Sequence, residues 1–423
     1  LGGRYVPDSF AGRIKVPVYL ACQFEDEQTG GRCANLIPNF TGTDKKWFTL
    51  TNGTHIDALD PQTFNRWFDF LELYVAGAAP HLSELARLFA PVIYQQIMGV
   101  TGVTLPPDPI QDQPSYPQAK AAFEALPQVR VLFDNGAGAA PGSPVATADQ
   151  SFNSWPIAGV QAQTWYLQPA GGLGPQRPQT AGGDSYQPDP SARPRTDFTG
   201  SDTDVWSALP AYNWAQPVEG KAVSYASAPL GADEVMVGTG SVDLWLESNA
   251  PDTDLQVTLS EVRPDGKETY VQNGWLRASM RKLFPPVPPP GPLGFLQTTP
   301  LDPISTFLRS DVAPLRARRW SLARIEVFPF GHVFHAGSRI RISVEAPGGD
   351  RPFWAFDTLT PSSGQQVSVG YGPSTPSRVV LPLVPGNAVT SPAPPCPALR
   401  AEPCRDYVPF TNAAGSENHH EGS

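Results

Sequence analysis

Charge is scarce in this chain. Only 17 % of its 423 residues are Asp, Glu, Lys or Arg, and the formal balance is −10. Proteins that grip nucleic acid neutralise phosphates with clustered Lys and Arg, so the deficit and its sign argue against a nucleic-acid partner. The one compact basic run, Arg316, Arg318 and Arg319, is explained more simply as a solvated strand edge. No apolar run approaches the roughly 18 residues of a membrane-crossing helix, so no membrane span is expected. Cysteine is limited to four residues, none in C-x-x-C spacing, and His332-x-x-His335 has no third ligand close by. Neither a metal nor a cofactor is therefore expected. What the chain does have is proline, 49 residues, more than twice the usual share of about 5 %. With 10 % aromatics and periodic apolar runs, that proline belongs to rigid connections between short strands and not to wholesale disorder.

Two short apolar runs stand out near the start, 16–22 and 47–50. Each ends in a polar loop, as a buried parallel strand does where it leaves a sheet. The first loop supplies Asp26, flanked by Glu25 and Glu27, and the second supplies His55, just past Asn52-Gly53. Functional groups collect at the carboxyl ends of strands in open α/β sheets. An acid followed by a His in this order matches the acid and base members of a nucleophile–acid–His triad. The plainer alternative is a solvated carboxylate and a surface His. Asp60-Pro61 then signals a helix start, Asp as the cap and Pro in the first turn. Phe64, Trp67, Phe68, Leu71 and Tyr74 follow at helical spacing, which predicts an apolar stripe and places His55 between a strand and a helix.

Residues 78–127 read as further helices, with Leu82, Leu85, Leu88, Phe89, Val92 and Ile93 as the apolar positions and LPPDPIQDQPSYP as a break. From Val129 the period changes to two, which predicts the start of an antiparallel sheet. Residues 168–203 read as a long loop. Eight strands are predicted in the second half, at 222–228, 234–237, 240–248, 255–262, 268–272, 319–328, 339–345 and 378–383. Eight strands with Pro-rich crossovers and no long helix predict a jelly roll. Jelly rolls also bind carbohydrate and other polymers, and Trp206, Trp214 or Trp354 would be the stacking platforms. Against that stands the usual burial of Trp in a sandwich core.

The strings EDEQTGGR, TNGTHID and FNRWFDFLELYVAG resemble the last part of the hydrolase domain in the cocaine esterase and X-Pro dipeptidyl-peptidase family of serine hydrolases. DGKETYVQNGWLRASMRKL and FPFGHVFHAGSRIRISVEAPG resemble that family's C-terminal jelly-roll domain, in the same order. The resemblance implies the end of an α/β-hydrolase domain over 1–127 and a jelly-roll β-sandwich over 128–423. It implies Asp26 as triad acid and His55 as triad base. Trp275 and Arg277 become scaffold residues. The family's nucleophile lies in a G-x-S-x-G elbow upstream of the acid, and no such string occurs here. The chain is therefore expected to be the C-terminal portion of a longer enzyme and inactive alone, with the N-terminal hydrolase segment as its partner. Its substrate would be an acyl ester, an amide or an X-Pro peptide. The competing reading is a non-catalytic β-sandwich binding protein with a remnant hydrolase segment.

The cysteines form two close pairs. Cys22 and Cys33 flank the Asp26 loop, and Cys396 and Cys404 bracket PALRAEP in a Pro-rich tail with little core of its own. Both positions suit a disulfide, which places the protein outside the reducing cytoplasm, as a secreted or otherwise extracytoplasmic chain. Intact mass before and after reduction is expected to show both bridges, Cys22–Cys33 and Cys396–Cys404. Four free thiols in the unreduced protein would overturn the pairing and the compartment together.

Overall fold

The computed structural model describes residues 7–137, 139, 142–192, 214–287, 296–348, 357–396 and 404–414. A four-stranded sheet comes first, built from β1 (Val18–Gln23), β2 (Lys46–Thr51), β3 (Val129–Asn135) and β4 (Ala146–Phe152) in that order. The first three strands are parallel and β4 runs antiparallel to β3. β3 corrects the expectation that an antiparallel sheet starts at Val129: it pairs in parallel with β2, Phe48 opposite Val129 and Leu50 opposite Val131. Alternation there was deceptive, because Leu132 is buried as fully as Val131 and Phe133. A strand covered on both faces carries no inside–outside pattern to read.

One face of this sheet carries helices α1 (Pro61–Leu71) and α3 (Tyr116–Glu124), and α2 (Glu84–Met98) packs beside α1 against Leu59 and Phe64. Trp47 packs there against Leu73, Ile110 and Phe123, its ring 4.8 Å from that of Phe123 and tilted edge-on. The two predicted apolar stripes are not the faces that turn inward. On α1 the most buried positions include Thr63, Asn65 and Asp69, while Trp67 is 40 % exposed. On α2, Ala90, Tyr94 and Met98 point inward, and Leu85, Leu88, Phe89, Val92 and Ile93 are each at least half exposed. α2 is apolar around most of its circumference, so spacing alone could not select its packed side, whereas α1 turns inward polar residues that find hydrogen-bond partners there.

Beyond β4 the described residues form strands and short 3₁₀ turns, the strands being β5 (Gln161–Gln168), β6 (Gly172–Gly174), β7 (Gly182–Tyr186), β8 (Ala222–Ser227), β9 (Glu234–Ser248), β10 (Asp254–Val262), β11 (Lys267–Arg277), β12 (Ser321–Phe334), β13 (Arg339–Glu345), β14 (Val367–Tyr371), β15 (Arg378–Leu383), β16 (Cys404–Asp406) and β17 (Ala413–Ala414). The path runs β16-β11-β10-β13-β8-β6-β5-β15-β9-β14-β7-β17, with β12 also paired to β9. Strands far apart on that path share one core. Leu255, Val257 and Leu259 of β10 belong to the same apolar cluster as Val242, Leu244 and Leu246 of β9. β9 joins two predicted strands into one, running through Gly238, whose φ of 138° suits only glycine, opposite a bulge between Val327 and Phe330. β14 was not predicted. β6 and β7 lie within the stretch expected to be loop.

The second face of the first sheet packs on this β part. Phe24, Phe48, Leu50, Val131 and Phe133 share a cluster with Val235, Val237, Val333 and Val384. A polar junction borders it. His335 Nε2 lies 3.3 Å from Asp134 Oδ2 on β3, an ion-pairing distance without hydrogen-bond alignment, and Nδ1 lies 3.8 Å from Asp233 Oδ2. Glu261 accepts from the His335 backbone and lies 2.8 Å from His332 Nε2. The Asp134 carboxylate, aided by Glu261, raises the His335 pKa above its ordinary value despite burial and the opposing His332. A raised folded-state value means stability that is complete below the unfolded pKa of about 6.5 and lost as pH rises through the folded one. His335→Gln is therefore expected to cost stability at about pH 6 and progressively less as the pH rises past the raised value. Urea midpoints across that range check this; a constant deficit at every pH would contradict it.

Candidate active site

The site is assembled at the carboxyl ends of β1 and β2. Leaving β1, the chain turns through Phe24 to Thr29, a turn closed by the Cys22–Cys33 disulfide. Asp26 is buried, and its Oδ1 accepts the backbone N–H groups of Gln28 and Thr29, both at 2.8 Å. Those bonds fix the carboxylate and leave Oδ2 to face the next loop. There it lies 2.7 Å from Nδ1 of His55. The three neighbouring acids, equivalent in the sequence, have separate partners. Glu27 Oε2 accepts the backbone N–H of His55 at 2.9 Å. Glu25, fully buried, meets Gln272 Nε2 of β11, which also donates to the Phe24 carbonyl. Burial pushes the Glu27 carboxyl above its usual range, and the His55 N–H opposes this.

The His loop is held just as tightly on its own side. His55 opens a short 3₁₀ turn, 55–59, whose entry is a reciprocal cap between Thr54 and Asp57. Asp60 follows as cap of α1, accepting from the backbone of Gln62 and Thr63 and from the Thr63 hydroxyl, with Pro61 in the first turn as the sequence predicts. Burial raises the Asp60 carboxyl to about 7. Asn52 Nδ2 donates to the Gly331 carbonyl of β12, anchoring the loop to the β part. The His55 side chain is 44 % exposed, and no residue among those described hydrogen-bonds its Nε2. An imidazole with Nδ1 on a buried carboxylate and Nε2 open is oriented to exchange a proton with a group arriving from outside.

Other candidates fare differently. Trp214 is buried, and the Arg405 guanidinium covers its ring at 3.6 Å, which closes that face to a sugar. Trp206 and Trp354 lie outside the described residues. Trp275 donates to Gln256 and packs on Phe328, and Arg277 pairs with Asp254, as scaffold residues do. Ser241 is buried in β9 and donates to Asp243. Among the described residues no cluster of three or more metal-ligating side chains occurs, and no helix is long and apolar enough to cross a membrane. Both predicted disulfides are present.

Residues 121–357 match the family model of the X-Pro dipeptidyl-peptidase C-terminal non-catalytic domain. The chain belongs to the family that this model describes, that of the X-Pro dipeptidyl-peptidase C-terminal non-catalytic domain. It is 28 % identical over 241 residues to "Putative serine esterase Mb1866c" of Mycobacterium bovis, an alignment covering 56 % of this chain and 35 % of that protein. "Putative serine esterase MT1883" of Mycobacterium tuberculosis matches to the same extent. Among solved structures, a CocE/NonD family hydrolase from Staphylococcus aureus superposes with a TM-score of 0.57 at 14 % identity, over 88 % of this chain and 55 % of that one. An alpha-amino acid ester hydrolase superposes with a TM-score of 0.52 at 16 % identity, over 89 % and 57 %. At such identity these superpositions establish the fold, an α/β segment followed by the β part. The alignment spans about a third of the length of the curated relatives, and the superpositions just over half of the structural ones.

If Asp26 organises the loop as its bonds indicate, Asp26→Ala strands two backbone N–H groups and is expected to destabilise the protein by about 1–3 kcal/mol. Asp26→Asn, which keeps an acceptor at Oδ1, is expected to lose less. Urea unfolding of the two variants checks the order, and equal losses would contradict it.

Proposed function

We propose that this chain supplies the acid and the base of a serine hydrolase triad whose nucleophile lies in a hydrolase segment outside it. The observation that carries the proposal is the 2.7 Å contact between Asp26 Oδ2 and His55 Nδ1, with His55 half exposed and Nε2 open. The absence of a G-x-S-x-G string from the sequence agrees with it. So does β1, which has a strand neighbour on one side only among the described residues and whose residues Val18 to Ala21 keep partial exposure. A parallel strand of this kind belongs inside a sheet, paired on both edges. The family membership and the names of the mycobacterial relatives point the same way.

In the assembled enzyme an incoming serine hydroxyl attacks the acyl carbonyl of an ester, amide or X-Pro peptide. His55 Nε2 takes the hydroxyl proton and then delivers it to the leaving group, while Asp26 keeps the Nδ1–H tautomer and stabilises the imidazolium. Acylation forms the Ser–acyl bond and breaks the bond to the leaving group. Water, activated by the same imidazole, then releases the acid. The β part, read as a jelly roll, serves as a scaffold that buries the back of the sheet and anchors both loops through Gln272 and Gly331. The two disulfides support an extracytoplasmic setting. The sugar-binding alternative loses its one describable platform, since Trp214 is covered.

The test is hydrolysis of an activated acyl ester by this chain alone and by the chain joined to the preceding segment of its longer protein. Activity is expected only in the joined form, falling by about 10³-fold or more with His55→Ala. Robust hydrolysis by the lone chain that survives His55→Ala would sink the proposal.

A further inference from the structure

The helix face of the first sheet is not fully covered. Trp47 lies under α1 and α3, but farther across the same face Arg130 of β3 and Asp149 and Ser151 of β4 floor an open cleft of about 290 Å³. Gln62, Asn65 and Arg66 of α1 form one wall, and the proline-rich turn around Asp108 forms another.

The hydrogen-bond accounts of these lining groups are unequal. Both ends of the Gln62 amide are bonded to Ala146, and both ends of Asn65 are engaged, by the Pro106 carbonyl and by Gln111. Asp108 Oδ1 accepts from the Ile110 backbone. The guanidinium groups are the exception. Arg66 has a side chain only 15 % exposed, a buried Nε without any hydrogen-bond partner, and no carboxylate closer than Asp108 Oδ2 at 3.6 Å. Arg130, 19 % exposed, gives its Nε to Asp149 Oδ2 at 2.5 Å, and its terminal nitrogens have no partner among the described residues. A guanidinium presents five N–H donors in a planar fork and is costly to bury unsatisfied. The unmet demand in this cleft is thus for acceptors, placed between two mostly buried cations.

We propose that the cleft between Arg66 and Arg130 is a binding site for a small organic carboxylate. A carboxylate matches the guanidinium fork in plane and spacing. The lining is mostly polar, and the rings of Pro107, Pro109 and Pro127 with the Leu126 side chain supply its apolar part, a patch on which the small organic body of a carboxylate can rest. The volume lies at the lower end of ligand sites, which limits the ligand to about ten heavy atoms. Asp108 and Asp149 stand beside the two cations and exclude larger polyanions by repulsion. The site is separate from the Asp26–His55 pair and does not depend on the hydrolase proposal.

Benzoate is the probe, titrated into the whole chain by calorimetry and followed through arginine Nε–Hε NMR signals. Saturable binding is expected, with acetate and inorganic phosphate each weaker by about tenfold or more. Arg66→Gln is expected to weaken benzoate by about tenfold or more, and Arg66→Lys to recover little of that loss because an ammonium lacks the fork. Arg130→Gln, which leaves α1 intact, is expected to show the same loss and serves should Arg66→Gln fail to fold. His55→Ala is expected to bind benzoate as the unaltered chain does, whatever the fate of the hydrolase proposal. Undiminished benzoate binding in a folded arginine variant, phosphate binding tighter than benzoate, or no saturation at millimolar benzoate would each overturn the assignment.

Discussion

Burial of both faces of one small sheet is the constraint on which the rest of this molecule depends. β2 and β3 are parallel, and parallel strands are stable only when both faces are covered. Helices cover one face through Trp47, Leu73 and Phe123. The β part covers the other with Val235, Val237, Val333 and Val384 packed on Phe48, Leu50, Val131 and Phe133. The large β part is therefore more than an appendage. It supplies half the core of the sheet whose strand ends carry Asp26 and His55, and removing its valines would leave Phe24 and Phe133 facing water.

The same coupling explains how two loops twenty-nine residues apart are held at hydrogen-bond distance. β1 and β2 pair in register to Gln23 opposite Thr51, so their following loops start side by side. Each loop is then tied inward by bonds that have nothing to do with the imidazole: Asp26 to two backbone N–H groups, Asp57 to Thr54, Gln272 to Phe24 and Asn52 to Gly331. Glu27 holds the His55 backbone while Asp26 holds its ring. An imidazole gripped at two points has little freedom left to lose, which is the preorganisation that the proposed role of His55 calls for.

Local signals carried the elements whose physics is local. The Asp60-Pro61 cap, the close cysteine pairs and the strands expected at 255–262 and 339–345 all depend on residues near one another in the chain, and all were legible. The faces of α1 and α2 were not: α2, apolar on several sides, offers several stripes of which only its neighbours select one, and α1 buries polar positions that its neighbours bond. The polar seam of Thr63, Asn65 and Asp69 is buried because Asp60, Gln111 and the Pro106 carbonyl are there to bond it. β14 carries glycine and only two strand-forming valines, so β7 and β9 recruit it more than its own propensity does.

By itself, the sequence determined the order acid then His, the helix start at Asp60-Pro61 and the cysteine pairs. Periodicity, caps and spacing are short-range properties, and they survive in a string of letters. Tertiary structure alone decided that β3 joins β2 in parallel and that Glu25 and Glu27, beside Asp26, take Gln272 and the His55 backbone. It also decided that Trp214 lies beneath Arg405 and that Arg66 and Arg130 border one cleft. Each of these is a matter of which distant groups meet. Pairing partners, burial and unmet hydrogen bonds are set by the closing of the whole fold around them.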